Sequence, residues 1–440
     1  MRHTEAAGLV AQTTEQIFAD LAIAERGVVV DSPPGAGKST LVVTAATSLA
    51  DAGERVIVIA QTNEQVNDLT KRLASSRPDL RIGRICAANY VPPPELARLT
   101  NVSLAAAAAD LADCPVITGT AHKWATVKGT SWPWAIIDEA YQMRSDLLLR
   151  VAGLFQRGLF VGDPGQLDPF STITTERWTG LTWDPMQSAV AVLLRHNPEI
   201  RVHRLPVSWR LPASATPVVA DAFYPFTGFR SATEAEQRSM EFNASAFGPN
   251  AFDRALDTAA GSGWALYQLP AGHTVRTDAE AIAATAALAA RVLQRGASFI
   301  SERAVEPQPA TSARIAVGTA HRDQAQAIRA CLAAGGYPSI TVDTANRLQG
   351  REFDVVIVLH PLSGRRDANA FHLEAGRLCV LTTRHRHACI VVSRAGIPEL
   401  LDSHPSTEPV HLNVPVKFPD GWEANQAVLS HLSQWKVQAG

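Results

Sequence analysis

The chain has 440 residues, a formal net charge of −2, and 46% hydrophobic and 19% charged residues. That length fits two or three domains with separate cores, and that composition excludes long disorder. The near-neutral balance excludes a globally basic nucleic-acid binder, so any such surface must be local.

The five cysteines form no C-x-x-C pair, which argues against structural zinc and fits a reducing, cytoplasmic setting. The N-terminus carries Glu5, Glu15 and Asp20 and no signal-peptide core. No apolar run reaches about 18 residues, so no membrane span is expected.

Residues 13–26 read as a short amphipathic helix started by Thr13-Thr14-Glu15-Gln16. Gln16 is a candidate for the edge of a bound adenine, or else a solvated helix-start residue. The apolar run Gly27–Val30 then leads into Ser32-Pro-Pro-Gly-Ala-Gly-Lys-Ser-Thr40 and a helical stretch. Strand, glycine loop, Gly-Lys-Ser and helix is the context a phosphate-binding P-loop needs. Gly35, Ala36 and Gly37 let backbone N–H groups turn inward as an anion nest, reinforced by the helix start through Thr40. Lys38 would reach the β- and γ-phosphates, and the Ser39 hydroxyl would ligate Mg²⁺. Ser32 stands where the usual pattern has Gly.

Arg55–Ala60 reads as a buried parallel strand followed by a helix. Thr62 and Asn63 at its carboxyl end are candidates for a phosphodiester backbone, or for helix capping, or both. Residues 71–84 are the most basic window, read either as a solvated face or as a nucleic-acid contact. Residues of about 76–113 are expected to form a small insertion. Pro115–Thr120 is another strand, whose end offers Thr118 and Thr120.

Trp134–Gln142 gives an apolar strand ending in Asp138-Glu139. Asp138 would hold Mg²⁺ and Glu139 would orient and deprotonate an attacking water. Phe160–Pro169 is a strand leaving the sheet into a sharp turn, from which Gln166 can reach a γ-phosphate or its water. Val202–Arg210 opens the second half; Trp209 offers a stacking face and Arg210 a permanent cation. Residues 226–262 read as loops with short elements, 278–294 as a helix, and Arg303–Thr311 as a Pro-containing linker. Arg314–Gln324 reads as a strand and turn into a helix over Gln324–Leu332, and strands are expected at Val355–Leu359 and Ala388–Ser393. His385 and His387 lack a third ligand nearby and are not read as a metal site. The last thirty residues read as an extended piece and a short helix.

In order, these strings resemble the motifs of superfamily 1 helicases, in the 1B branch typified by the nonsense-mediated decay helicase. Gln16 resembles the Q motif, Ser32–Thr40 the Walker A motif, Ala60–Asp68 motif Ia and Thr118–Thr120 motif Ic. Asp138-Glu-Ala-Tyr-Gln142 resembles motif II, Gly162–Pro169 motif III and Ser208–Leu211 motif IV. Gln349–Glu352 and Arg377–Arg386 resemble motifs V and VI. The resemblance implies an α/β fold of two RecA-like P-loop domains with parallel sheets and ATP in the cleft between them. It places residues 1–200 in the first domain, 201–400 in the second, and leaves 401–440 as a C-terminal extension. It also implies that Arg210 and Arg384 reach the γ-phosphate from the second domain, that Glu352 bonds the ribose, and that Trp209 replaces a Tyr stacked on adenine.

Other departures are Gln61 for Pro, Cys379 for Asn and Ala320-His321 for Pro-Tyr. The phosphate-hydrolysing positions match better than the strand-contacting ones. The implied activity is ATP hydrolysis with Mg²⁺, coupled to translocation on, or unwinding of, DNA or RNA. The branch implies 5′-to-3′ movement, and a chain without visible accessory domains would need a protein partner for targeting. The competing expectation is an ATP-driven switch or assembly subunit that does not unwind. A small-molecule kinase, suggested by the P-loop alone, leaves Asp-Glu-Ala-x-Gln and the two distant arginines unexplained.

Overall fold

The computed structural model describes all residues except 1–2, 170–175, 179–180, 182–183, 226, 245–248, 275–276, 404–419 and 440. Two parallel sheets organise it. The first contains β1 (Gly27–Asp31), β2 (Val56–Ala60), β3 (Ile82–Ile85), β4 (Val102–Ala105), β5 (Val116–Thr120), β6 (Trp132–Asp138), β7 (Phe155–Gly162) and β8 (Arg201–Arg204). Its order is β4-β3-β5-β2-β6-β7-β1-β8.

Small elements follow: the pair β9 (Val207–Ser208) and β10 (Arg230–Ser231), and the strand β11 (Ser239–Glu241). β12 (Trp264–Leu269) belongs to the second sheet. β13 (Ser298–Ser301) and β14 (Ala304–Pro309) form an antiparallel hairpin beside β11. β15 (Ile315–Thr319), β16 (Thr341–Thr344), β17 (Phe353–Leu359), β18 (His385–Arg394) and β19 (Lys436–Gln438) complete the second sheet, ordered β16-β15-β17-β18-β12-β19.

Both sheets are buried on both faces, which is why their strands read as unbroken apolar runs. Along β2, Val56, Val58 and Ala60 enter one core cluster while Ile57 and Ile59 enter another. Along β17, Val355 and Ile357 separate in the same way from Val356 and Val358. Polar residues at the carboxyl ends of β1 and β6, in the loop Ser32–Thr40 and at Asp138-Glu139, open onto one cleft. The two-sheet α/β architecture is the one the motif order implies.

Several elements differ from expectation. The first helix spans His3–Ile23, so Thr13 and Thr14 lie inside it. Their hydroxyls donate to the carbonyls of Leu9 and Val10 instead of capping a start. Residues 76–113 contribute β3 and β4, so this stretch extends the first sheet at one edge. Within 226–262, residues Ala251–Ser262 form a helix started by a reciprocal Asn250–Asp253 cap. The Arg303–Thr311 stretch is not a linker: Ala304–Pro309 is β14, and its prolines are tolerated because β14 is an edge strand. The helix Gly421–Leu432 packs into a core cluster through Ala424, Val428 and Leu432, and β19 pairs with β12. Residues 411–419, expected as an extended piece, lie outside the described residues.

Candidate nucleotide cleft

The P-loop runs from the end of β1 into the helix Lys38–Asp51. Gly35 and Gly37 have φ of 74° and 91°, in the left-handed region that side chains resist. At Gly35 a Cβ would also lie 2.3 Å from the Arg210 Cβ. The loop is held from two sides. The Ser32 N–H donates to the Gly162 carbonyl at 2.8 Å, tying it to β7. The Trp209 N–H donates to the Gly35 carbonyl at 2.9 Å, and the Ser208 hydroxyl donates to the Pro34 carbonyl. The segment carrying Trp209 and Arg210 is therefore stitched to the phosphate loop by main-chain atoms. The Ser32 hydroxyl is buried without a hydrogen-bond partner among the described residues. Its side chain thus adds no visible bond to the loop.

A cleft of about 780 Å³ opens here. Gly35, Ala36, Gly37, Lys38, Ser39 and Thr40 line one wall. Asp138, Glu139 and Gln166 stand beside them, and Trp209, Arg210, Glu352 and Arg384 close the opposite side. Every expected catalytic residue and all but one of the expected nucleotide-binding residues meet in this one space. The exception is Gln16, which is exposed on the first helix and does not line the cleft. Because that helix starts at His3, Gln16 sits mid-helix on the solvent side.

In the cleft Lys38 donates to Glu139. Burial opposes the Lys38 ammonium, but Glu139, Asp138 and Asp163 outweigh it and raise its pKa. Burial pushes Asp138 up to about 6, with Lys38 opposing and Glu139 adding to the rise. Its Oδ1 is buried without a hydrogen-bond partner among the described residues. A buried carboxylate oxygen in that state, beside the Ser39 hydroxyl at the cleft wall, fits a divalent cation. Glu139 takes the left-handed conformation, φ 53° and ψ 43°. A non-glycine residue there is strained, and such strain collects at functional sites.

Burial lowers the Arg384 pKa to about 9, with the neighbouring Arg210 adding to the shift. Its Nε donates to the Val380 carbonyl at 3.0 Å and its Nη2 to the Thr383 hydroxyl at 2.7 Å. Two buried guanidiniums close enough to disfavour each other are compensated when an anion arrives. Arg210 donates to Glu352 at 3.4 Å. Burial would raise the Glu352 pKa, but Arg210, Arg386 and Arg303 outweigh it and lower it.

The loop after β7 joins the two halves. Asp163 accepts from the Gly165 N–H at 3.0 Å, from Gln166 Nε2, and from the Tyr224 hydroxyl at 2.5 Å. Tyr224 lies just after the helix Thr216–Phe223, whose core partners belong to the second sheet. A Cβ on Gly376 would lie 2.4 Å from the Gln166 carbonyl oxygen, so the helix Ala375–Thr382 meets this loop backbone to backbone. Sequence reasoning quoted Asp163 only within a string and missed Tyr224, Arg303 and the cleft-lining Glu64, Asp68 and Arg72.

The candidate nucleic-acid residues do not form one surface. Thr62 is exposed and caps the helix Asn63–Ser76, accepting from the Gln65 N–H at 3.3 Å. Asn63 is exposed and accepts from Arg84 at 2.8 Å. Thr120 is half-buried and caps the next short helix, Ala121–Trp124, through the Lys123 N–H. Thr118 is fully buried, bonded to the Thr70 hydroxyl at 2.7 Å and to the Gly83 carbonyl at 3.2 Å. It is a core residue and cannot meet a strand.

The basic window is matched by acids, most of them from outside it. Lys71 pairs with Glu95, Arg72 with Asp68, Arg77 with Asp51 and Asp79, and Arg81 with Asp113. Arg84 is buried and donates to the Ile85 carbonyl. His387 bonds Asp354 and the Ile300 carbonyl, and among the described residues no group of three or more potential ligands could hold a metal ion on its own. No described helix is long and apolar enough to cross a membrane.

Two stretches match protein-family models, each described as an AAA domain: residues 12–175 and residues 188–396. No curated protein matches the chain. Among solved structures, the arterivirus nonstructural protein 10 (helicase) with DNA is similar at 14% identity and a TM-score of 0.44. That likeness covers 84% of this chain and 60% of that one. The Escherichia coli DEAH/RHA helicase HrpB is similar at 13% identity and a TM-score of 0.44, over 91% of this chain and 44% of that one. The DUF1998 helicase MrfA bound to DNA and AMPPNP is similar at 10% identity and a TM-score of 0.42, over 89% and 49%. The chain thus spans about three-fifths or less of the length of these three structures.

Proposed function

We propose that this chain is an ATP-driven motor of the superfamily 1 helicase type, hydrolysing ATP with Mg²⁺ to move on single-stranded nucleic acid. The observation that carries the reading is the meeting of Lys38, Asp138 and Glu139 from the first sheet with Arg210 and Arg384 from the second half in one cleft. The chain divides just after β8, and the second unit runs on through β19.

The residues act as follows. The P-loop N–H groups and Lys38 take the phosphates, and Lys38 leaves Glu139 as it does so. Glu139, now unpaired, accepts a proton from the attacking water, which Gln166 helps to place. Ser39 and Asp138 would hold Mg²⁺, which would supply positive charge to offset that of the phosphates. Arg210 and Arg384 stabilise charge that grows on the γ-phosphoryl group. Glu352 takes the ribose and Trp209 the base. Arg210 is already tied to the phosphate loop, whereas Arg384 belongs with the second sheet and completes the site when the cleft closes, so each turnover couples hydrolysis to relative movement of the two sheets.

A second reading has its own support. The basic window is matched by acids and Thr118 is buried, which leaves little of the expected strand-gripping surface on the first sheet. That favours an ATP-driven switch or assembly subunit without unwinding activity.

Steady-state ATP hydrolysis measured with and without defined single-stranded DNA and RNA, at low salt, separates the two. Stimulation by either polymer supports the motor. Hydrolysis indifferent to both removes it in favour of the switch. Oligomers with 5′ and 3′ overhangs then test the expected 5′-to-3′ polarity.

A further inference from the structure

Among the residues that line the cleft, Arg303 comes from outside the strings that define it. It occupies the turn between β13 and β14, on a hairpin that the sequence disguises as a linker. The turn is not loosely placed. Glu302 accepts from Arg238 through both carboxylate oxygens, at 2.8 Å each, and from Arg386 at 2.7 Å. Arg238 in turn donates to the main-chain carbonyls of Trp209 and Arg210. Glu302 and Arg238 therefore fix the hairpin turn to the backbone that presents the stacking ring and the γ-phosphate cation. The Glu302, Arg238 and Arg386 side chains are largely buried, 15%, 2% and 7% exposed.

Arg303, the next residue, touches that clamp only through a long ion pair to Glu302 at 3.9 Å. Its side chain is 59% exposed and donates to Glu352 at 3.2 Å across the mouth of the cleft. It is a long cation on a fixed base, held at the position proposed for the ribose.

We infer that Arg303 is a nucleotide-binding residue, donating to the oxygens of the ribose and α-phosphate end of the bound nucleotide. The inference rests on the reading of the cleft as an adenine-nucleotide site. Arg210 and Arg303 both pair with Glu352, at 3.4 Å and 3.2 Å. A ribose hydroxyl that takes Glu352 leaves both guanidiniums beside an anion, with Arg210 directed at the γ-end and Arg303 at the other. The anchored turn limits the conformational freedom lost on binding to one side chain.

The test is calorimetric titration of the full chain with MgADP and with a non-hydrolysable MgATP analogue. Arg303→Ala is expected to bind both nucleotides about tenfold more weakly, the size of one charge-assisted hydrogen bond at a partly solvated site. Arg303→Lys is expected to recover part of the loss. Val305→Ser, on the same hairpin and 80% exposed, should bind as wild type.

Unchanged affinity in Arg303→Ala overturns the inference. So does tighter binding, which would make Arg303 a lock on Glu352. A loss confined to the ATP analogue also overturns it, because the contact would then lie at the γ-phosphate. If the wild-type chain binds neither nucleotide, the proposed function falls and this role falls with it. If the wild type binds and only the variant comparison fails, the proposed function stands.

Discussion

Replacing Asp138 by Asn should abolish hydrolysis and at the same time stabilise the nucleotide-free fold. Asp138 is 4% exposed, and its Oδ1 has no hydrogen-bond partner among the described residues. Its folded pKa is pushed up to about 6 from an ordinary 3.8, chiefly by burial. A carboxyl whose folded pKa is raised adds stability only while protonated. That contribution is complete below the unfolded value and is lost as pH rises through the folded value. At about 1.4 kcal/mol per pH unit, the gap of about two units corresponds to roughly 3 kcal/mol lost between pH 4 and pH 7. The substituted amide carries no charge to bury and should regain about 1–3 kcal/mol at pH 7, with no gain near pH 4. Urea unfolding of both proteins at several pH values, without nucleotide or Mg²⁺, measures the difference. An Asp138→Asn protein equally stable or less stable at pH 7, or one whose advantage does not shrink as pH falls, refutes the reasoning.

Three further outcomes follow from the same geometry. Tyr224→Phe removes the hydroxyl that donates to buried Asp163, so stability should fall by about 1–3 kcal/mol in denaturant unfolding. Hydrolysis should fall more than nucleotide affinity, because Asp163 also holds Gln166. Gly35→Ala places a Cβ against Arg210 at a positive φ and should weaken nucleotide binding strongly, read by equilibrium titration. Thr118→Val should lower stability by about 1–2 kcal/mol, because the Gly83 carbonyl and the Thr70 hydroxyl each lose a buried hydrogen bond while Thr70 keeps its bond to the Val66 carbonyl, and any stimulation of ATP hydrolysis by single strands should persist.

The candidate cleft was legible in part because Lys38, Asp138 and Glu139 follow apolar strands. Lys38 follows β1, and Asp138 and Glu139 end β6, so periodicity plus a short polar string located them. Arg210, Arg384 and Glu352 carried no local signal of their own and were placed only through the family resemblance. Thr118 and Thr120 show where strand logic needs tertiary facts. They share a parity on β5, yet one is a strand-interior residue packed under Thr70 and the other is a helix cap at the strand end. The hairpin carrying Arg303 was hidden because proline is tolerated on edge strands, which makes an edge strand read like a linker. The helix start at His3 was hidden because Thr13 and Thr14 bond back to carbonyls one turn earlier, a use of hydroxyls that competes with capping. The matched charges of residues 71–84 depend on Asp51, Glu95 and Asp113, which only the fold brings near.

At the centre of the proposed function is the completion, by arginines from the second half, of a catalytic site built on the first sheet. Its most direct test pairs nucleotide binding with single-turnover ATP hydrolysis in Glu139→Gln and Arg384→Ala. Both variants are expected to bind MgATP still, with hydrolysis down by about 10³-fold or more in Arg384→Ala, the range of arginine-finger losses, and by about 10²–10⁴-fold in Glu139→Gln, the range for a lost general base. Hydrolysis at the wild-type rate by both variants would contradict it.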